Sequence, residues 1–356
     1  MKFIITKNKL DNTVSSMQAF LEKKDDSAIT SHIFMQIEDD ILTLKASDHE
    51  IGLKYEINDI TNSELGKATV NGSNLLGIIK RLKEDEIILE TKDNNLIIKQ
   101  NRSTFKLPMY NPEEYPKFVH VDDLKKIEIS AQNLISAFKQ ITPAIDNHNP
   151  KFELNGALID IQNNKINFVA TDTRRLAISH MQNFSNETAK IIIPKKAIIE
   201  IQKLFLDDVN ISYDETNLII SSEGKQFFTK LINGTFPEYE RIIPNEYKYK
   251  FSIPKNSFVE SIKLVTSLFS NIKITFSSNN IVFESLDENT ESKTQIDLDL
   301  EITDSFYLAV NAKFLLDFLS TSNNENILIG FNESGLPFFL EDDKFFTIIM
   351  PIILDK

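Results

Sequence analysis

Leu10-Asp11-Asn12-Thr13-Val14-Ser15-Ser16-Met17-Gln18-Ala19-Phe20-Leu21 is the stretch that decides the fold, because its pattern occurs three times in the chain. Leu10, Val14, Met17 and Leu21 sit at offsets 0, +4, +7 and +11, which is one face of an amphipathic helix. The same offsets recur in Leu134, Phe138, Ile141 and Ile145, and again in Phe258, Ile262, Val265 and Phe269. The first positions, 10, 134 and 258, are each separated by 124 residues. Every stripe follows a short apolar strand: Phe3-Ile4-Ile5, Ile127-Glu128-Ile129 and Phe251-Ser252-Ile253.

The rest of the unit repeats in the same order. A second helix carries Leu75-Leu76, Ile198-Ile199 and Leu315-Leu316. A strand follows at Ile87, Val209 and Ile327, then a hairpin into Leu96, Leu218 and Leu336. The hairpin turns are Asp93-Asn94-Asn95, Asp214-Glu215-Thr216-Asn217 and Asn332-Glu333-Ser334-Gly335, and each unit closes on a strand at Phe105-Lys106-Leu107, Phe228-Thr229-Lys230 or Phe346-Thr347-Ile348. Agreement in both order and spacing over a whole unit is the mark of an internal repeat. The expectation is an α+β chain of three domains, 1–118, 124–243 and 248–356, with linkers near Tyr115–Asp123 and Ile243–Lys250. Each domain has two helices and about eight short strands. Apolar on one face, the helices must lie on one side of their sheets, and units with similar ends can pack head to tail and close into a ring.

Composition narrows the function. Of 356 residues none is cysteine, which removes disulfides, thiolate metal sites and cysteine nucleophiles and fits a reducing cytoplasm. Nine glycines provide no phosphate-cradling motif, and five scattered histidines show no metal-ligand spacing, so no cofactor or metal is expected. No run of eighteen apolar residues and no secretory signal is present, so no membrane partner is expected.

A net charge of −13 by itself argues against nucleic acid, so the distribution of charge matters. Met1 to Lys24 carries five lysines (Lys2, Lys7, Lys9, Lys23, Lys24) against Asp11 and Glu22. The second-helix regions add Lys80, Arg81, Lys83, Lys195, Lys196, Lys203 and Lys313, and Lys139, Lys255 and Lys263 lie on or beside first helices. Glu284 to Asp304 instead holds eight acids (Glu284, Asp287, Glu288, Glu291, Asp297, Asp299, Glu301, Asp304) and one base, Lys293. Lysines on a helix face are also what any solvated helix shows. Six helices converging on one surface would turn them into a weak positive lining that holds a duplex through its phosphates without reading bases.

Residues that break the repeat are the better functional candidates. Val169-Ala170-Thr171-Asp172-Thr173-Arg174-Arg175-Leu176-Ala177 aligns with Lys45-Ala46-Ser47-Asp48-His49-Glu50-Ile51-Gly52-Leu53. Asp172 recurs as Asp48, which marks a turn or capping residue. Arg174 and Arg175 have no counterpart; they fit either a partner-binding loop or a structural arginine paired with a nearby acid.

Leu154-Asn155-Gly156, Ala170-Thr171-Asp172-Thr173-Arg174-Arg175-Leu176-Ala177, Gly234-Thr235-Phe236-Pro237-Glu238-Tyr239 and the ending Met350-Pro351 together resemble the bacterial DNA sliding clamps, the β subunits of DNA polymerase III. The resemblance spans the chain. It implies a DNA polymerase processivity factor, not an enzyme, in which two chains form a head-to-tail ring of six clamp domains with helices lining the hole and antiparallel sheets outside. The implied partners are encircled double-stranded DNA, a second copy as homodimer, the replicative polymerase α subunit, the clamp-loader complex, and other polymerases and repair proteins with clamp-binding peptides. The implied location is cytoplasmic and nucleoid-associated.

Position by position, the resemblance implies a peptide groove of Leu154, Thr171, Thr173, Arg174, Arg175, Leu176, Pro237, Arg241, Ile242, Asn311, Pro337, Ile348, Met350, Pro351 and Ile352. Such an apolar pocket with an arginine-rich rim suits a peptide that inserts Leu and Phe side chains while a Gln or an acid is held by polar groups. It implies a subunit contact of Phe105 and Leu107 with Leu268 and Phe269. Two departures stand out. The family usually has Gly-His where this chain has Thr173-Arg174, and threonine disfavours positive φ, so the loop is expected to take another path. Ile353 also replaces a usual arginine, and Asp355-Lys356 extend the end.

Two other readings compete. Paired carboxylates such as Asp39-Asp40 or Asp207-Asp208 raise a glycosidase-like enzyme, although acids at this density pair easily on solvated turns. An adaptor built from the same repeats that binds peptides but not DNA is the other.

Overall fold

Each third of the chain places a three-turn helix after a short strand in the computed structural model, which describes residues 1–118, 124–184, 187–206, 208–244, 246–267, 269–286 and 291–354. The first helices of the repeats are α1 (Lys7–Met17), α3 (Ala131–Ile141) and α5 (Lys255–Val265); the second are α2 (Gly72–Ile79), α4 (Lys195–Leu204) and α6 (Ala312–Thr321). The leading three residues of every stripe are buried, as the spacing predicts. The fourth lies beyond the helix each time. Thr142-Pro143-Ala144 continues α3 as a 3-10 turn and Gln18–Phe20 does the same after α1, so Ile145 and Leu21 reach the core from extended backbone. Leu75, Ile198 and Leu315 of the second helices are completely buried at 0% exposure. Three expected strand positions shift: Ile127-Glu128-Ile129 lies only partly in strand Lys125–Ile127, with Ile127 paired to Ile211; Val209 falls one residue before strand Asn210–Tyr213; and Leu336, 45% exposed, falls two residues before strand Phe338–Asp342.

Among the described residues, four antiparallel sheets carry the helices. A five-stranded sheet runs in the order Thr61–Glu64, Lys2–Thr6, Glu86–Lys92, Asn95–Gln100, Ser103–Pro108. An eight-stranded sheet runs Lys125–Ile127, Asn210–Tyr213, Asn217–Ser222, Lys225–Lys230, Ile51–Ile57, Ile41–Ser47, His32–Glu38, Gly66–Asn71. The second runs Ala189–Pro194, Gly156–Ile161, Lys165–Thr171, Arg175–Gln182, Phe345–Ile349, Phe338–Asp342, Asn326–Phe331, Tyr249–Pro254. A four-stranded sheet runs Lys293–Asp297, Asn280–Ser285, Asn271–Ser277, Phe306–Asn311.

Both eight-stranded sheets cross a repeat boundary. The closing strand of the second repeat, Lys225–Lys230, pairs with Ile51–Ile57 of the first, setting Phe228 opposite Gly52. The closing strand of the third, Phe345–Ile349, pairs with Arg175–Gln182 of the second, setting Ile348 opposite Leu176. The chain accordingly divides into two compact units, Met1–Gln132 with Ile199–Leu231, and Asn133–Ile198 with Ile232–Lys356. The second repeat contributes strands to both. In the first unit Phe20 meets Phe227 edge-on at 6.0 Å; in the second, Phe138 of α3 meets Phe168 at 5.6 Å, and Phe318 of α6 stacks on Phe345 at 4.7 Å.

The first junction depends on a missing side chain. A Cβ on Gly52 would fall 2.2 Å from Cε1 of Phe228, so the ring occupies the glycine's space. Gly52→Ala is expected to lower unfolding stability by about 2 kcal/mol through overpacking, read in urea melts; an unchanged midpoint would mean that Phe228 has room to turn aside.

Candidate peptide-binding groove

The loop between strands Lys165–Thr171 and Arg175–Gln182 is held by its own polar side chains. Asp172 Oδ1 accepts from the backbone N–H groups of Arg174 and Arg175, both at 3.0 Å. Thr171 Oγ1 accepts from Thr173 N at 3.1 Å and donates to Arg175 O at 2.6 Å. The first repeat builds the same turn, with Asp48 accepting from Glu50 and Ile51 and Ser47 bonded to His49 N and Ile51 O. Asp172 is therefore the turn residue its recurrence predicts.

Threonine nonetheless takes the positive φ it disfavours. Thr173 adopts φ +71°, matching His49 at +73°. The four side-chain hydrogen bonds around the turn impose a left-handed residue, against an intrinsic cost of about 1–2 kcal/mol for a side chain there.

The two adjacent arginines do different things. Arg175 is 6% exposed. Its Nε donates to Asp172 Oδ2 at 3.0 Å, its Nη1 to Asp317 Oδ2 at 2.8 Å and its Nη2 to the carbonyl of Pro143. Its guanidinium also lies 4.6 Å from the ring centre of Phe314. Of the two readings left open for this pair, Arg175 takes the structural one, binding the turn, α6 and the 3-10 turn after α3. Arg174 is exposed and its guanidinium makes no ion pair among the described residues, while its carbonyl accepts from Met350 N at 2.9 Å. Arg241, also exposed, pairs with Glu238.

Below the loop lies one apolar cluster, in which Leu154, Leu176 and Ile348 pack with Phe236, Tyr239 and Phe339. The Phe-Pro-Glu-Tyr segment anchors to it through Tyr239, whose hydroxyl donates to Asp160 Oδ2 at 2.7 Å and accepts from Asn167 Nδ2 at 2.9 Å. Burial, reinforced by the Asp160 carboxylate, raises the phenol pKa far above its ordinary value. The short helix Tyr239–Ile242 then presents Ile242, 49% exposed. Met350, at 44%, leaves the last strand beside Arg174, and Ile352 N bonds to Ala309 O at 2.7 Å, which brings the tail beside Asn311. Asn311 caps α6 through Lys313 N at 3.0 Å. Thr171, Pro237, Pro337, Pro351 and Ile352 are half-buried and Thr173 is exposed. The sequence-derived groove residues all fall in one compact unit, some buried and some accessible. Phe314 and Asp317 were missed; both lie on α6, one and two turns after Asn311 respectively.

The basic residues differ in exposure and in the partners they hold. Lys23, Lys24, Lys80, Arg81, Lys83, Lys139, Lys196 and Lys263 are exposed. Lys195 Nζ donates to Ile145 O at 2.7 Å, and burial lowers its pKa. Lys255 Nζ donates to Ser322 O at 2.9 Å, so both ammoniums serve helix ends. Lys7 bridges Glu84 and Asp11; Lys9, Lys203 and Lys313 pair with Asp59, Glu200 and Asp317. Phe105, Leu107 and Phe269 are half-buried, while Leu268 lies outside the described residues. Asp39 and Asp40 are an exposed turn pair at φ +50° and +60°; Asp207 lies outside the described residues.

Comparison with known proteins gives one family throughout. The chain matches the family descriptions "DNA polymerase III beta subunit, N-terminal domain" over 1–119, "central domain" over 128–238 and "C-terminal domain" over 240–353. It is 40% identical to the beta sliding clamp of Helicobacter pylori strain J99 over 374 aligned residues, covering 99% of this chain and 100% of that one. Identity to the beta sliding clamp of Staphylococcus aureus strain Mu50 is 26%, covering 99% of each. Among solved structures, the Helicobacter pylori beta clamp bound to a DNA ligase peptide superposes with a TM-score of 0.94 at 41% identity, covering 99% of this chain and 100% of that one. A Pseudomonas aeruginosa clamp bound to griselimycin shares the fold, with a TM-score of 0.93 at 21% identity and the same coverage.

Two substitutions test the loop. Thr173→Asn is expected to raise stability by about 0.5–1 kcal/mol in denaturant melts, since asparagine tolerates the left-handed region; a loss would show the threonine unstrained. Asp317→Asn should lower it by about 1–3 kcal/mol by leaving Arg175 short of a carboxylate, and a neutral result would mean that Asp172 alone suffices.

Proposed function

The chain belongs to the bacterial β sliding clamp family, the DNA polymerase III β subunits, and on that premise we propose that two copies close head to tail around duplex DNA and slide along it without reading sequence. Like its family it is a processivity factor rather than an enzyme, and it tethers partners to DNA. The observation that carries the ring is a pair of edge strands whose equivalents in the other repeats pair across a junction. Ser103–Pro108, the closing strand of the first repeat, ends the five-stranded sheet, whereas its equivalents in repeats two and three are both paired across a junction. Lys293–Asp297 ends the four-stranded sheet, whereas its equivalents in repeats one and two are the strands those junctions use. Two chains satisfy both edges with the contact already made twice inside each chain.

The exposed bases of the helix regions supply phosphate contacts: Lys23, Lys24, Lys80, Arg81, Lys83, Lys139, Lys196 and Lys263, with Lys9, Lys203 and Lys313 reachable by exchange of surface ion pairs. Exposed Ile242 and Met350, together with the buried Leu154, Leu176 and Ile348, offer an apolar seat for one linear peptide, with Arg174 as the exposed rim cation. The peptides belong to the polymerase α subunit, the clamp loader and other polymerases and repair proteins, in a cytoplasmic, nucleoid-associated setting. The domain limits 1–118, 124–243 and 248–356 remain the proposed units of the ring.

Protein loaded by a clamp loader onto nicked circular DNA should co-elute with the circle and leave it after linearisation. Retention on linear DNA with free ends would rule out encirclement. Peptide binding with no loading would favour the adaptor reading.

A further inference from the structure

Antiparallel pairing lines residues up in rows across a sheet, so the two shared sheets can be compared row by row. In the second, one row runs Ile192, Leu158, Val169, Ile178, Phe346. Its first four members are buried in the apolar cluster beneath the groove, and Phe346 packs against it. The equivalent row of the first shared sheet runs Thr69, Phe34, Lys45, Lys54, Gln226. Lys45 and Lys54 therefore stand where Val169 and Ile178 stand, each pair 124 residues apart.

Lys45 is half-buried, so a position that the second repeat builds as core here carries an amine that is not closed off from solvent. Its Nζ lies 5.2 Å from the ring centre of Phe34 and 5.9 Å from that of Phe118. Tyr115 lies 5.4 Å from Phe34, ring centre to ring centre, and Phe118 meets Phe228 edge-on at 5.0 Å. Tyr115 Oη also donates to Lys45 O at 3.2 Å. The charged groups that face the Lys45 amine are Lys54, Lys67 and Glu56. Glu56 is paired with Lys54, and Lys67 with Glu113. Among the described residues no carboxylate pairs with Lys45 itself. Aromatic faces favour an ammonium, but withdrawal from water and the two facing lysines prevail over them and hold the Lys45 pKa below the usual lysine value. Lys195 is also lowered by burial, but its Nζ is engaged with Ile145 O.

We propose that Lys45 is an acyl-acceptor site, a lysine whose uncharged amine takes a small acyl group directly from an acyl phosphate. The amine nitrogen attacks the acyl carbon and a C–N bond forms. The bond from that carbon to the phosphate oxygen breaks, phosphate leaves with its electron pair, and the nitrogen gives a proton to solvent. A desolvated amine beside other cations is the setting that activates a lysine as a nucleophile. The product is a neutral amide in the row where the second junction has Val169. Acylation thus removes an unpaired charge from the first junction without breaking an ion pair, and the modified chain is the more stable one. The site belongs to a single chain and does not depend on closure of a ring.

The full chain treated with acetyl phosphate at mildly alkaline pH, then digested for mass spectrometry, should show Lys45 acetylated about fivefold faster than the exposed Lys23, Lys24 and Lys80. Labelling of Lys45 at or below the rate of those three overturns the proposal. Lys54→Met removes one facing cation and releases Glu56 to pair with Lys45. It should slow acetylation of Lys45 about threefold and leave Lys23 unchanged, and an unaltered rate at Lys45 overturns the assigned activation. Lys45→Met reproduces the loss of charge without the reagent. It should raise the urea midpoint of unfolding, and a lower midpoint overturns the view that the ammonium is unsatisfied there.

Discussion

An antiparallel strand at a sheet edge exposes a row of N–H and C=O groups that another strand can pair, and the two pairings made this way across repeat boundaries organise the rest of the molecule. Each repeat closes on a strand that its own sheet pairs on one side only. The second and third repeats fill the other side by borrowing a strand from the repeat before, which is why both eight-stranded sheets cross repeat boundaries. The compact units consequently cut through the middle repeat instead of following the sequence periods. Shared sheets join neighbours through backbone hydrogen bonds, which hold register more tightly than side-chain packing alone.

The candidate groove is a consequence of the second shared sheet. Pairing of Arg175 with Ile349 and Leu176 with Ile348 brings the turn of one repeat beside the C-terminal tail of another, and Met350 extends that ladder through Arg174. Alternation along a strand then separates the functions of adjacent residues. Leu176 points into the apolar cluster, Arg175 reaches Asp317 and Phe314 of α6, and Arg174 at the turn stays in solvent. A buried guanidinium between two carboxylates and a carbonyl fixes orientation well and is poorly placed to give up its partners to a ligand.

The helical stripes were legible in sequence because a period of 3.6 is a local signal, repeated three times. The turn at Asp172 was legible because its counterpart at Asp48 lies one repeat away. Junction pairing was not, since nothing local to Ile51 names Phe228 or Thr229 as a neighbour. For the same reason sequence left the role of Arg175 undecided: its carboxylate partner Asp317 is 142 residues distant. Thr173 misled for a different reason. Residue preference predicts a different loop, but four hydrogen bonds outweigh one unfavourable φ. Phe314 and Asp317 carried a faint signal, being spaced to share a helix face with Asn311 and to abut the same groove.

Topology places opposite demands on the junctions. A closed ring cannot admit a circular duplex unless one contact opens, while the others must stay shut for the particle to remain whole. Within the chain, covalent continuity and apolar pairs such as Leu176 with Ile348 both resist opening. Between chains there is no covalent link, and surface charges can exchange a partner for water at little cost. The overall acidity of the chain works in the same direction. At net −13, two copies repel at long range, so their association depends on short-range complementarity of the surfaces that meet.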